Sequence, residues 1–168
     1  MYSTDLETHW RDWVSASDVA RVAALVAATG FFNRAEQEIA VELVNERLER
    51  GIASGYAFVL AEIEGSLAGY ACYGHAPGTV GSYDLYWIVV DPAHQRCGLG
   101  TRLLADVESR IRQAGGSHVW IDTSGRELYR PTHAFYRRNG YTEIARLSEF
   151  YAPGDDKLIF TKGLVAHT

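Results

Sequence analysis

The chain is poor in cysteine, with only Cys72 and Cys97 in 168 residues. Two cysteines do not make a disulfide framework, and no Cys/His spacing matches a zinc site, so no metal is expected. An excess of basic residues is also missing: 16 Lys and Arg stand against 21 Asp and Glu, a net charge of −5. That balance argues against nucleic acid as a partner, though it leaves room for a local basic groove around a phosphate-rich ligand. No apolar run approaches the ~20 residues needed to span a bilayer, so no membrane partner is expected. The opening stretch MYSTDLETHWRDW is polar and acidic. It has no apolar h-region and does not read as a signal peptide, which makes the cytoplasm the expected compartment. Repeats, low-complexity tracts and linkers are absent as well. At 47% hydrophobic and 22% charged, the 168 residues fit one ordinary globular domain with a single core.

Hydrophobic periodicity and turn residues predict the elements in order. His9–Val14 reads as a short strand. Ser17-Asp18 caps a helix that buries Val19, Val22, Leu25 and Val26 and stops at Gly30. A second helix spans about Asn33 to Arg50 with Ile39, Leu43, Val44 and Leu48 inward, and Gly51 and Gly55 bracket its exit. Tyr56–Ile63 and Leu67–Gly74 form a hairpin across Glu64-Gly65-Ser66. After the loop His75–Ser82, Tyr83–Val90 is a strand whose unbroken apolar end predicts burial on both faces. Asp91-Pro92 stops it.

A helix from about Gly98 to Gln113 carries the stripe Leu99, Leu103, Leu104, Val107 and Ile111, and Gly115-Gly116 end it. His118–Thr123 is the next strand, and a strand–helix–strand unit of this length predicts that it runs parallel to Tyr83–Val90. After the loop Ser124–Arg130, Pro131 opens a short helix to about Arg138, ended by Asn139-Gly140. Tyr141–Tyr151 and Lys157–Leu164 are a final strand pair around Ala152–Asp156. The order predicts a mixed α/β (α+β-like) sheet with helices on both faces.

The most informative segment is Gln95-Arg96-Cys97-Gly98-Leu99-Gly100-Thr101, which follows a strand and opens a helix. Glycines there let a ligand approach the backbone, and unpaired helix-start amides attract an anion. A dinucleotide fingerprint would need a third glycine at Leu103, and a P-loop would need Gly-Lys-Ser/Thr where Gly100-Thr101 is followed by Arg102. Both patterns fail.

The pattern Gln-x-x-Gly-x-Gly after a strand ending Val-Val-Asp-Pro resembles the GNAT (Gcn5-related N-acetyltransferase) superfamily. Ala134-Phe135-Tyr136-Arg137-Arg138-Asn139-Gly140-Tyr141 is similar to that family's helix-to-strand segment. The resemblance implies a GNAT-type mixed sheet of about seven strands and acetyl-CoA as co-substrate. It implies that the amides of Gln95, Arg96, Cys97, Gly98, Leu99, Gly100 and Thr101 hold the coenzyme A pyrophosphate, with Cys97 offering its amide and not its thiol. It implies that the main chain of Ile88, Val89 and Val90 meets the acetyl carbonyl and pantetheine arm. Thr132, Phe135, Tyr136 and Arg138 are further cofactor candidates. Tyr136 matches a tyrosine proposed to protonate the leaving thiolate. Some members carry Asn seven residues and Ala four residues before that tyrosine; here those positions hold Tyr129 and Thr132.

Acetyl transfer requires a neutral amine, and an amine near ~10.4 is only about one part in a thousand neutral at pH 7. Asp84 is the candidate base: burial among Tyr83, Tyr86 and Trp87 would raise its affinity for a proton. The alternative is that Asp84 caps or hydrogen-bonds a neighbouring loop. The alternative for Tyr136 is a core tyrosine packing its short helix. Phe32, Glu36, Tyr73, Tyr83, Asp84 and Tyr86 are candidates for the acceptor pocket, although Glu36 also fits a solvated helical face. His133 draws attention because it shares a helix with Tyr136, and Asp155-Asp156 fits either a turn or a site for a cationic substrate. Cys72 fits a small core residue. The expected activity is direct acetyl transfer to a primary amine of a small molecule. Acetylation of a protein N-terminus or lysine, and a non-catalytic acyl-CoA sensor, are the alternatives. Exposed edge strands admit a homodimer.

Overall fold

A computed structural model describes residues 7–164, so part of the polar opening stretch lies outside the described residues. The strands are β1 (Thr8–Arg11), β2 (Ala57–Ile63), β3 (Ser66–His75), β4 (Ser82–Val90), β5 (His118–Ser124), β6 (Thr142–Ala152) and β7 (Asp155–Gly163). The helices are α1 (Asp18–Ala28), α2 (Arg34–Arg50), α3 (Leu99–Gln113) and α4 (Arg130–Arg138). Together they form a seven-stranded mixed sheet in the order β1-β2-β3-β4-β5-β7-β6, flanked by the helices. β4 and β5 are parallel, as the strand–helix–strand reading requires, with pairs from Ser82↔His118 to Asp84↔Trp120. The contacts divide the chain into two compact units. One takes in the chain up to Gly74 and Trp87–Val107; the other takes in His75–Tyr86 and the chain from Glu108.

In the first unit, β2 and β3 join through a two-residue turn, with Ile63 paired to Ser66. Glu64 and Gly65 have φ of 51° and 78°, the left-handed pair of a type I′ turn. The loop is therefore one residue shorter than expected. Successive residues of β3 face opposite ways. Tyr70 and Cys72 join Val22, Leu25, Val26, Ala40 and Val44 of α1 and α2 in one buried cluster. Gly69 faces α3: a Cβ there would lie 3.0 Å from both the Leu103 side chain and the Val89 carbonyl.

Two local expectations change. Ile39 and Leu48 are exposed, not inward. The buried face of α2 centres on Ala40 and Val44, and at ~100° per residue Ile39 and Leu48 fall to either side of it. The start of α1 is not a Ser17 cap, because Ser17 has helical dihedrals and makes no capping bond. Asp18 instead receives the Ser15 amide at 2.8 Å and the Arg11 guanidinium at 2.7 Å. Arg11 also donates to Glu62 at 2.9 Å, and Arg21 reaches Glu62 at 2.6 Å. This buried network ties β1 to α1 and β2. It also explains why β1 ends at Arg11, short of the expected Val14: the Arg11 guanidinium donates to the Trp13 carbonyl, turning the chain.

In the second unit, α4 packs on one face of the sheet. Val119, Ile121, Leu158 and Phe160 are buried there, with the rings of His133 and Tyr136 5.8 and 5.6 Å from Phe160. Buried Glu108 receives the Tyr141 hydroxyl at 3.0 Å and the Lys162 ammonium at 3.0 Å, and Lys162 also donates to the Asn139 carbonyl. β6 and β7 run closer together than expected, with Ala152 paired to Asp155 across Pro153-Gly154. Between Leu147 and Ala152 the register slips, leaving Ser148–Tyr151 as a bulge. Asp156 fastens this bulge by accepting the Glu149 amide at 2.9 Å, while Asp155 accepts the Ser124 hydroxyl. The acidic pair thus shapes the hairpin.

Burial opposes the charge on Asp18, but its hydrogen bonds from Arg11 and Ser15 prevail and hold the carboxyl below its ordinary value. Glu62 is likewise lowered, with burial outweighed by the two arginines. A depressed carboxylate contributes stability above its unfolded value near ~4 that is lost as pH falls through the folded value. Removing one partner of a buried pair costs about 3–5 kcal/mol. Asp18→Asn should therefore lower Tm at pH 7, and its Tm should fall less than that of the parent between about pH 5 and 3. Thermal melts across that range check both points.

Candidate active site

The anion-binding geometry at the start of α3 is built by the end of β4. The Asp91 amide donates to the Ala68 carbonyl at 2.8 Å, and the Asp91 side chain accepts the Ala93 amide at 2.8 Å. Gln95 reaches back to the Val90 carbonyl at 3.2 Å. Arg96 and Gly98 then take φ of 64° and 81°. The first i to i−4 helical bond runs from the Arg102 amide to the Gly98 carbonyl at 3.0 Å. The amides of Leu99, Gly100 and Thr101 come before it and have no acceptor within the helix. With the positive end of the helix dipole they could cradle an anion, and a Cβ built on Gly98 would meet no atom within 4 Å. This geometry fits a diphosphate. Cys97 is exposed and its thiol faces the His94 carbonyl, so its amide is the group left to the cradle.

The apolar end of β4 is less enclosed than expected. Val89 is buried, but Trp87, Ile88 and Val90 are half-buried and Tyr86 is exposed. An unbroken apolar strand signals burial on both faces in an all-parallel sheet; here the sheet is mixed and the parallel register with β5 stops at Asp84. Trp87 packs edge-on against Phe32 with ring centres 4.8 Å apart. Tyr73 is buried. Glu36 closes a capping box with Asn33, accepting its amide at 2.7 Å and donating its own at 2.9 Å. A groove of about 440 Å³ along α1 and α2 is lined by Arg34, Gln37, Glu38 and Glu42; Glu38, like Glu36 a candidate to meet the acceptor amine or to lie on a solvated face, is there ion-paired to Arg34 at 3.0 Å.

In the second unit the polar side chains of interest lie on the sheet face opposite the packed one. Asp84 is paired with Trp120, and Asp122 and Lys157 share its face by register. Asp84, Trp120, Lys157, Ile159 and Thr161 are half-buried and Asp122 is exposed. Tyr83 points to the other face, against Gly116 and 5.3 Å from the His75 ring. Partial burial raises the proton affinity of Asp84; the charge of Asp122 raises it further and that of Lys157 opposes. Neither Asp122 nor Lys157 stands out in a linear reading. The alternation in His118–Ser124 is their only signal, since it turns Trp120 and Asp122 away from the apolar face.

Tyr136 is buried in an aromatic cluster with Phe135, Tyr141 and Phe160. Burial, then the neighbouring Tyr129, push its phenol well above the ordinary tyrosine range. It stays protonated near neutrality and can donate a hydrogen bond. Thr132 and Phe135 are half-buried on the same helix and Arg138 is exposed. His133 is engaged structurally: its Nε2 hydrogen bonds the Ser124 carbonyl at 2.8 Å, which requires the proton on Nε2. Burial raises the Cys72 thiol, so it does not ionise near neutrality. Among the described residues, no three His, Cys, Asp or Glu side chains are grouped to hold a metal, and no helix is long and apolar enough to cross a membrane.

Residues 19–141 match the acetyltransferase (GNAT) family model, a stretch that runs through both units. No curated protein matches the chain in sequence. Among solved structures, a GNAT-family protein of Desulfovibrio desulfuricans is 45% identical, with a TM-score of 0.93 over 95% of this chain and 100% of that one. An aminoglycoside 6'-N-acetyltransferase complexed with coenzyme A is 16% identical, with a TM-score of 0.75 over 95% and 99% of the two chains. The ribosomal-protein-S18-alanine N-acetyltransferase of Escherichia coli is 19% identical, with a TM-score of 0.74 over 96% and 97%. At those lower identities the likeness is one of fold.

The electrostatics of the open face are directly measurable. In a 13C NMR titration the Asp84 carboxyl should take up its proton above the ordinary aspartate value of ~3.9. A midpoint at or below that value contradicts the surroundings described here.

Proposed function

This chain belongs to the GNAT acetyltransferase family, a family of acetyl-CoA-dependent transferases, and on that premise we propose that it acetylates a primary amine of a small molecule by direct transfer. The observation that carries this reading is the set of amides at the start of α3 that have no acceptor within the helix, in the turn that follows β4. We assign the diphosphate to the main chain of Gln95–Thr101 and the pantetheine and acetyl carbonyl to the main chain of Ile88, Val89 and Val90. Thr132, Phe135, Tyr136 and Arg138 complete the cofactor contacts. Acetyl-CoA supplies an activated acyl group; the protein's work is to orient it and to move protons.

Asp84 takes the proton of the acceptor ammonium. An ordinary aspartate near ~3.9 is a weak base for this, and the raised proton affinity of Asp84 improves the match. An amide hydrogen in β4 would polarise the carbonyl, as in an oxyanion hole, and Ile88 is our assignment. Tyr136 faces the leaving sulfur. Its phenol is a weaker acid than a thiol near ~8.5, so it stabilises the thiolate by donating a hydrogen bond and not by giving up its proton. Direct transfer agrees with the cysteines: Cys72 is buried and Cys97 belongs to the cradle. Phe32, Glu36, Tyr73 and Tyr86 are the proposed acceptor contacts, with Glu36 also carrying the capping duty described above; Tyr83, turned to the face opposite Asp84 and packed against Gly116, is left out of this set. The reading treats the chain as one acetyltransferase domain acting in the cytoplasm. The exposed Ile144, Phe150 and Tyr151 of β6 suit a homodimer.

Thiol release from acetyl-CoA over a panel of small amines and of peptides with free N-termini or lysines tests the acceptor class. Turnover of small amines well above peptides is expected. Preference for peptides would move the assignment to protein acetylation, and tight CoA binding without turnover would make the chain a sensor. Asp84→Asn should lower kcat/KM by about 10²-fold at neutral pH, with the loss shrinking as rising pH deprotonates the amine unaided. A loss that is flat with pH removes Asp84 as base. Tyr136→Phe should cost no more than about 10²-fold; unchanged turnover removes its role.

A further inference from the structure

The open face of the second unit carries a charge cluster that the mechanism above leaves unused. Lys157 Nζ lies 2.6 Å from Asp122 Oδ2, the lysine side chain being 18% exposed and the aspartate 50%. The same ammonium sits 4.5 Å from the centre of the Phe150 ring. Phe150 reaches that position because Ser148–Tyr151 bulge out of β6. A cation held by a carboxylate and an aromatic face has little freedom to wander. Asp122 follows Trp120, the register partner of Asp84, by two residues on the same face. Lys157 is opposite Ser124, two residues further.

Within this unit, the groups whose charge acts on Asp84 are Asp122 from β5 and Lys157 from β7; His118, on the same face of β5, stacks its ring on Trp120 and hydrogen bonds the Ser117 hydroxyl. The next charges along the face, Arg126 and Asp155, neutralise one another at 3.3 Å. The His75 ring lies against Tyr83 on the other face. Asp84 therefore feels one like charge and one opposite charge. Asp122 alone would keep Asp84 protonated further up the pH scale, and Lys157 alone would make it a poorer base.

We propose that Asp122 and Lys157 are a positioning pair for Asp84, fixing the charge against which it accepts the proton of the acceptor ammonium. The proton passes from the amine nitrogen to an Asp84 oxygen, while Asp122 stays ionised and Lys157 keeps its own. The inference rests on Asp84 being the base, which Asp84→Asn tests separately.

The test uses Asp122→Asn, Lys157→Met (whose stem still lies under Phe150) and Asp122→Glu. One acceptor is used throughout, so that its own ionisation cancels. Two quantities are read: the Asp84 midpoint by 13C NMR, and the acid limb of kcat/KM against pH. Removing the anion should lower both by about half a unit, and removing the cation should raise both by about as much, roughly threefold in proton affinity. Asp122→Glu should stay near the parent. A purely structural role would not move the two variants in opposite directions. If Asp84→Asn abolishes the acid limb but neither variant shifts it, the base assignment stands and this proposal fails. Midpoints that shift while the acid limb stays put also overturn it.

Discussion

The proposed chemistry of this protein depends on three amide hydrogens that the first turn of α3 cannot satisfy by itself. A helix start leaves such groups unpaired by geometry, and a site arises where the surrounding chain keeps them fixed and accessible. Here the chain does both. Asp91 pins the exit of β4 to the Ala68 carbonyl, and Gln95 ties the turn to Val90. Gly69 lets the Leu99 and Leu103 side chains come within van der Waals contact of β3, which seats the front half of α3 against the sheet. The left-handed backbone at Arg96 and Gly98 then turns the chain into the helix. At Arg96 this conformation carries a backbone cost of about 1–2 kcal/mol that glycine would avoid.

The second unit divides its labour by strand alternation. One face of β5 and β7 buries Val119, Ile121, Leu158 and Phe160 under α4, and stability comes from there. The other face keeps Asp84, Trp120, Asp122 and Lys157 within reach of solvent. The same physical effect, removal from water, tunes both proposed proton-handling groups in the same direction. It makes Asp84 a better base and keeps Tyr136 a donor. That difference in chemical role follows from the side chains: a carboxylate with raised proton affinity accepts a proton more readily, and a phenol with raised proton affinity keeps its own.

Much of this was legible in the residues. Strong periodicity marked α3 and its buried stripe, and the strand–helix–strand spacing fixed the parallel pair β4 and β5. The Gln95–Thr101 turn announced itself through two glycines and the failure of rival nucleotide patterns. The errors have local causes. Ile39 and Leu48 are apolar yet stand off the centre of the α2 face, which Ala40 and Val44 set. Ser17 looked like a cap, but Asp18 is bonded to Arg11 across the chain, a long-range contact no local pattern encodes. The Asp122–Lys157 pair was invisible for the same reason, because it exists only once β5 and β7 are in register. Asp155-Asp156 read as part of a turn, whereas both residues open β7 after the turn at Pro153-Gly154, and the bulge that Asp156 fastens has no local signal.

The measurement that bears most directly on the central claim is a calorimetric comparison of two ligands, coenzyme A and pantetheine. They share the thiol arm and differ in the adenosine diphosphate portion. If the start of α3 grips the diphosphate, coenzyme A should bind at least about 10²-fold more tightly, since charge-assisted hydrogen bonds contribute about 1.5–3 kcal/mol each. Equal affinities, or no heat with coenzyme A in a folded sample, would contradict the account.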